Sequence, residues 1–182
     1  MIYRDRFSQF SSYISQLQTL VLKLDHEVFD KFPKFTELRN VKHLTLKVDS
    51  YHISSFLPCI SLIEAAPCFY RFSIEVFYGK IDCPDSYLLQ GKVVQRRAEK
   101  RLLKCPKVVE LVGFTGHEVD VELAMYLFDN VVSLEKINID TRQPNLLGTE
   151  NENVEDESRL VAKMFAMGLQ SKLPRGVELM IL

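Results

Sequence analysis

The sequence of 182 residues has no tryptophan, few glycines, few cysteines and almost no net charge, and each scarcity excludes something. Its 23 basic and 24 acidic residues leave a formal charge of −1. The chain therefore has no global attraction for nucleic acid or an anionic membrane, and either partner would need a local patch. The four cysteines, Cys59, Cys68, Cys83 and Cys105, lie 9, 15 and 22 residues apart. They are too sparse for a disulfide scaffold and form no CxxC pair for zinc. Apolar runs are short: the longest, Phe56 to Ile63, falls far below the roughly 18 residues of a membrane span. The first 25 residues lack the apolar centre of a secretory signal, so the chain is expected inside the cell, in the cytoplasm or nucleus. Seven glycines form no GxSxG, GxxxxGK[ST] or GxGxxG, which weakens hydrolase, nucleotide-hydrolysing and dinucleotide-binding readings together. His26-Glu27 is followed by Asp30 and His117-Glu118 by Val121, so neither completes the HExxH of a metalloprotease. Ser133 and Lys136 have the Ser-x-x-Lys spacing, but in a strand they point to opposite faces. No catalytic, cofactor-binding or metal-ligating residue is assigned, and an enzyme is not expected.

What the sequence does contain is repetition. Five short phrases share one shape: Leu17-x-x-Leu20-x-Leu22, Val41-x-x-Leu44-x-Leu46, Phe69-x-x-Phe72-x-Ile74, Pro106-x-x-Val109-x-Leu111 and Leu134-x-x-Ile137-x-Ile139. A truncated sixth, Val177-x-Leu179-x-Ile181, closes the chain, with Pro174 standing as Pro106 does in the fourth. The fourth positions are spaced 24, 28, 37, 28 and 40 residues apart, which brackets and overruns the period of leucine-rich repeats.

Between the phrases lie helical signals, and strands alternating with helices imply parallel pairing with right-handed crossovers. Ser54 or Ser55 is expected to cap a helix carrying Phe56, Ile60 and Ile63 that ends before Pro67, and Asp120 to cap one over Val121 to Asn130. A last helix, about Asp156 to Lys172, is expected to turn Leu160, Met164 and Met167 inward, with Phe165 a further candidate. Gln143 to Glu157, polar and acidic, reads as a mobile loop. Lys92 to Lys104 carries six basic residues against Glu99 alone and reads as a long surface helix. That run has no aromatic residue to stack on bases, so a solvated face is favoured over an RNA-binding one.

The strings VVELVGFTG and DVELAMYLFDNVVSLEKINID (Val108 to Asp140) and the closing LPRGVELMIL are informative together. They resemble the C-terminal leucine-rich-repeat and FBD region of plant F-box proteins, in which a GFxG turn, an ELxxYLxxNAxxLEK helix and a final LPxxVELxIL recur. SLIEAAPCFYRFSIEVF resembles the LLxAAPxLxxFxL repeat of the same proteins, so the similarity covers most of the chain from about Leu17. Val131 stands where that family favours Ala, and Pro106 where it favours Leu. Nothing in Met1 to Leu24 resembles the F-box that docks the Skp adaptor. The resemblance therefore implies the target-reading half of a ubiquitin-ligase adaptor, without the docking half. Regular leucine-rich repeats place Asn or Cys at the ninth position; here the column reads Asp25, Asp49, Phe77, Phe114 and Arg142, so no asparagine ladder is expected.

Together these readings predict an α/β fold: an irregular leucine-rich-repeat solenoid with a curved parallel sheet of about six strands backed by helices. The chain is expected to form one domain over 1–182, FBD-like from about 103. The function expected is recognition of a protein target that the sequence does not name, with a stand-alone interaction module unconnected to ubiquitin as the alternative. Strand alternation places Val21 and Lys23, Thr45 and Lys47, Ser73 and Glu75, Glu110 and Val112, Asn138 and Asp140, then Glu178 and Met180 on the open face. From that row Lys23, Thr45, Lys47, Ser73, Glu75, Glu110, Asn138 and Asp140 are the candidate partner-binding residues.

Overall fold

The repeated phrases become strands because their alternate residues are apolar, which gives each strand one side to bury. The computed structural model describes residues 16–24, 38–49, 55–67, 69–78 and 102–182. It contains β1 (Thr19–Leu24), β2 (His43–Asp49), β3 (Arg71–Phe77), β4 (Val108–Val112), β5 (Lys136–Asp140) and β6 (Glu178–Ile181). The six strands form one parallel sheet in chain order, each beside its neighbours in sequence. This is the predicted α/β solenoid.

One backbone device recurs where the strands begin. The Gln18 carbonyl accepts from the N–H groups of Lys42 and His43, Lys42 from Tyr70 and Arg71, Tyr70 from Lys107 and Val108, and Lys107 from Glu135 and Lys136. Each carbonyl thus meets the next repeat twice and fixes its register.

Leu44, Leu46, Val48, Phe72, Ile74, Val76, Val109, Leu111, Ile137 and Ile139 are buried from one side of the sheet. Helices cover that side. A 3₁₀ turn (Leu57–Cys59) leads into α1 (Ile60–Ala65), which buries Ile60, Leu62 and Ile63. The expected serine cap is not formed: Phe56 and Cys59 are the N-cap residues of the turn and the helix, without side-chain caps, while Ser55 Oγ accepts from the Leu57 N–H and its hydroxyl donates to Glu122. Next, α2 (Glu118–Asn130) buries Leu123, Ala124, Tyr126, Leu127 and Phe128. It begins three residues before the predicted start. His117 is the N-cap residue, and Asp120 sits inside the first turn with its carboxylate reaching back to Thr115.

The last helix corrects the sequence reading most. Asp156 does cap α3 (Glu157–Leu169), accepting from the Arg159 N–H at 2.8 Å, and a 3₁₀ turn over Gln170–Lys172 follows. The buried residues, however, are Ala162, Ala166 and Leu169, while Leu160, Met164, Phe165 and Met167 are exposed. The helix has two competing apolar stripes. The small one wins because alanine lets the helix axis lie close to the core.

The closing strand also departs from the prediction. Leu179 pairs with Ile137 and Ile181 with Ile139, so Leu179, not Val177, is the equivalent of Val109. Pro174 is spent on a turn, closed by the Val177 N–H on the Pro174 carbonyl with Gly176 at φ +86°, and does not match Pro106. Gln143 to Glu157, expected to be a mobile loop, runs through a chain of turns before it enters α3, and Glu152 ties the turns down by accepting from Arg142 and from the Gly148 N–H. Most of the expected basic helix, 92–101, lies outside the described residues. Its end is not helical, since Leu103 forms a parallel bridge with Val131.

Candidate functional site

Among the described residues, no helix lies over the second face of the sheet, and parallel pairing arranges its side chains in rows across the strands. The middle row reads Val21, Thr45, Ser73, Glu110, Asn138 and Met180. The next reads Lys23, Lys47, Glu75, Val112 and Asp140. All eight candidate residues therefore stand in the two rows expected of them. Met180 faces Asn138, and Glu178 faces Lys136, two residues out from the predicted alignment. A third row, Thr19, His43, Arg71, Val108, Lys136 and Glu178, escaped the sequence reading. Its signal was present: these residues share the parity of the other two rows and lie one step upstream.

The charges on this face are largely paired with one another across strands. Lys47 Nζ lies 2.8 Å from Glu75 Oε2, Arg71 Nη1 3.5 Å from Glu110 Oε1, and Lys136 Nζ 3.0 Å from Glu178 Oε1. At the end of its row Asp140 accepts from Arg142 Nε and Nη2, and Arg142 also pairs with Glu152. The row that reads basic at one end and acidic at the other is thus neutralised locally. Lys23 and Lys47 do occupy equivalent places on adjacent strands, but Lys47 is held by Glu75.

At the centre, Asn138 Nδ2 donates to Glu110 Oε1 at 3.3 Å. Asn138 Oδ1 is buried and accepts no hydrogen bond from any described residue. Such an orphaned acceptor costs about 1–3 kcal/mol. Two strands away from Asn138 in the same row, on the far side of Glu110, Ser73 is also buried.

A second polar cluster lies under the face, where β3 and β4 run into α2. Asp120 is buried and accepts from Tyr78 Oη at 2.6 Å, from the Thr115 N–H at 2.9 Å and from Thr115 Oγ1 at 2.8 Å. Burial raises its pKa, and the bonds from Tyr78 and Thr115 only partly oppose that. The Tyr78 phenol is pushed up as well, by burial and by the Asp120 charge beside it. A neighbouring void of about 10 Å³, lined by Asp120 and by Phe56, Ile74, Leu111, Phe114 and Leu123, has no room for a substrate. The cluster ties the turn after β4 to the start of α2. Burial also pushes the Cys59 thiol well up, away from the reactive thiolate. Among the described residues no three His, Cys, Asp or Glu side chains gather to hold a metal ion, and no helix is long and apolar enough to cross a membrane.

A search of the curated proteins and a search of the solved structures found no significant match. A family model described as "At1g61320/AtMIF1, LRR domain" matches residues 2–170. That match takes in five of the six strands and, through Gln170, all of α3. The parallel sheet in chain order and the recurring phrases are what a leucine-rich-repeat domain requires, and the chain belongs to the At1g61320/AtMIF1 leucine-rich-repeat domain family.

Proposed function

We propose that this chain is a protein-recognition domain which reads its target with the open face of the sheet, works inside the cell and carries no catalytic chemistry of its own. The observation that supports this most is the set of three in-register rows displayed on a face that no described helix covers. Solenoid repeats present extended surfaces of this kind to partners.

Blocking the middle row at Thr45 and at its last residue, Met180, tests the reading. Thr45→Arg with Met180→Arg places two long cations on half-exposed and exposed positions and disturbs no ion pair on the face. Affinity capture from cell extract with wild type and with the folded variant should return partners for the first that the second loses. The same partners bound equally by both would remove the open face as the recognition surface. Lys23→Glu is the milder probe. Lys47→Glu is not, since it would set a like charge against Glu75.

A finer reading, the target-reading part of an F-box ubiquitin-ligase adaptor, rests on the GFTG turn (Gly113 to Gly116) and the closing LPRGVELMIL string. An interaction module unconnected with ubiquitin fits the same fold. Direct titration with purified Skp adaptor separates them: the chain as given should not bind, and a longer product with an in-frame F-box upstream of Met1 should. A transcript with no such F-box leaves the stand-alone reading.

A further inference from the structure

On α3 the outward stripe is the larger of the two: Leu160 is 51% exposed, Met164 70% and Met167 58%, four and three residues apart on one face. Solvated helix faces are normally polar, and a contiguous apolar stripe marks a contact surface. Gly168 lies beside the stripe, exposed and within the helix. A Cβ there would meet nothing within 4 Å, and its φ is not positive. Neither its backbone conformation nor a neighbour in the chain asks for this glycine, which weakens the helix. Close approach of a second backbone would explain it.

The charges at the ends of the helix indicate whose backbone. Glu157 stands at the N-terminal end, and Lys172 closes the 3₁₀ turn at the other; both are exposed, and neither pairs with a described residue. An antiparallel copy of the same helix brings each Glu157 to the other's Lys172 and lays Leu160 of one against Met167 of the other, with Met164 near the axis. A parallel copy would bring like charges together. The helix dipoles also oppose favourably when antiparallel. We infer that α3 is the contact of a two-fold symmetric homodimer, packed antiparallel on the Leu160, Met164 and Met167 stripe, with Gly168 admitting the partner helix. Such an interface is isologous, each surface being its own complement. Methionine suits it, because its flexible thioether adapts to its own image. The inference uses a different surface from the open face and stands apart from the function proposed for that face.

Sedimentation equilibrium of the full chain over a concentration series tests it. Wild type should show a reversible monomer–dimer equilibrium, and Met164→Lys should weaken it about tenfold or more. Glu157→Lys and Lys172→Glu should each weaken it alone, and together restore it, with melting curves confirming that every variant is folded. A wild type that stays monomeric at the highest concentrations overturns the dimer, as does a dimer indifferent to Met164→Lys. If Met164→Lys fails to fold, the charge exchange decides. Double exchange without recovery overturns the antiparallel contact and leaves the stripe to a different protein.

Discussion

Asp120 accepts three hydrogen bonds from Tyr78 and Thr115 where burial penalises its charge, and the two effects can be separated by substitution. In Asp120→Asn the amide oxygen can keep both Thr115 donors while the amide nitrogen donates to the Tyr78 oxygen. That variant is expected to melt close to wild type at neutral pH. Asp120→Ala strands the Thr115 N–H and the Tyr78 hydroxyl and should lose about 2–4 kcal/mol. The folded pKa is raised, so the site's contribution is full below the ordinary carboxylate range and is lost as pH rises through the raised value. Wild-type stability should therefore fall more steeply than that of Asp120→Asn as pH climbs across that window, as urea midpoints at several pH values would show. Equal slopes would mean that Asp120 is not titrating there. Gly113 offers a second residue-scale test. Its φ is +80°, and a Cβ would run into the Val76 carbonyl, so Gly113→Ala should cost about 2 kcal/mol or more in thermal unfolding. The GFTG run stood out in the sequence only through the family resemblance; in the structure Gly113 and Gly116, both at positive φ, bracket the buried Phe114. The role of Asp120 was not, since a residue three places into a helix and a helix cap look alike in sequence.

Elements were legible where only one periodicity was available. In β1 to β5 the alternation admits a single choice of buried side, and both the register and the two expected open-face rows follow from it. In α3 there were two helical stripes, and the choice fell to packing distance, which a sequence states only through the alanines Ala162 and Ala166. β6 slipped by two residues because Pro174 serves a turn. Leu179 and Ile181 in β6 are only partly buried, which sets the scale of its contribution. A chain ending at Gly176 loses these two, the Leu182 bonds to Ile139 and Thr141, and the cover on the edge of β5. We expect a loss of about 2–4 kcal/mol in chemical denaturation and a tendency to aggregate through the bared edge. An unchanged midpoint would make the strand dispensable.

For the molecule as a whole, the exposed turns at 147–151 are the expected site of first proteolytic cutting, and Arg142 sets the rate by holding Glu152 and Asp140 together. Arg142→Ala should speed that cut while the rest of the chain stays resistant; initial cutting within α2 or β5 would contradict the packing described. The strands lie in chain order, so among the described residues each one bonds only to those before and after it in sequence. Mechanically this is a zipper with no crossed teeth. Tension applied at one end loads a single strand pair at a time, and the chain should surrender its length in discrete releases, each as long as the connection behind the strand that gives way. A force trace would then record the unequal repeat lengths directly, with the long connection between β3 and β4 among its widest steps.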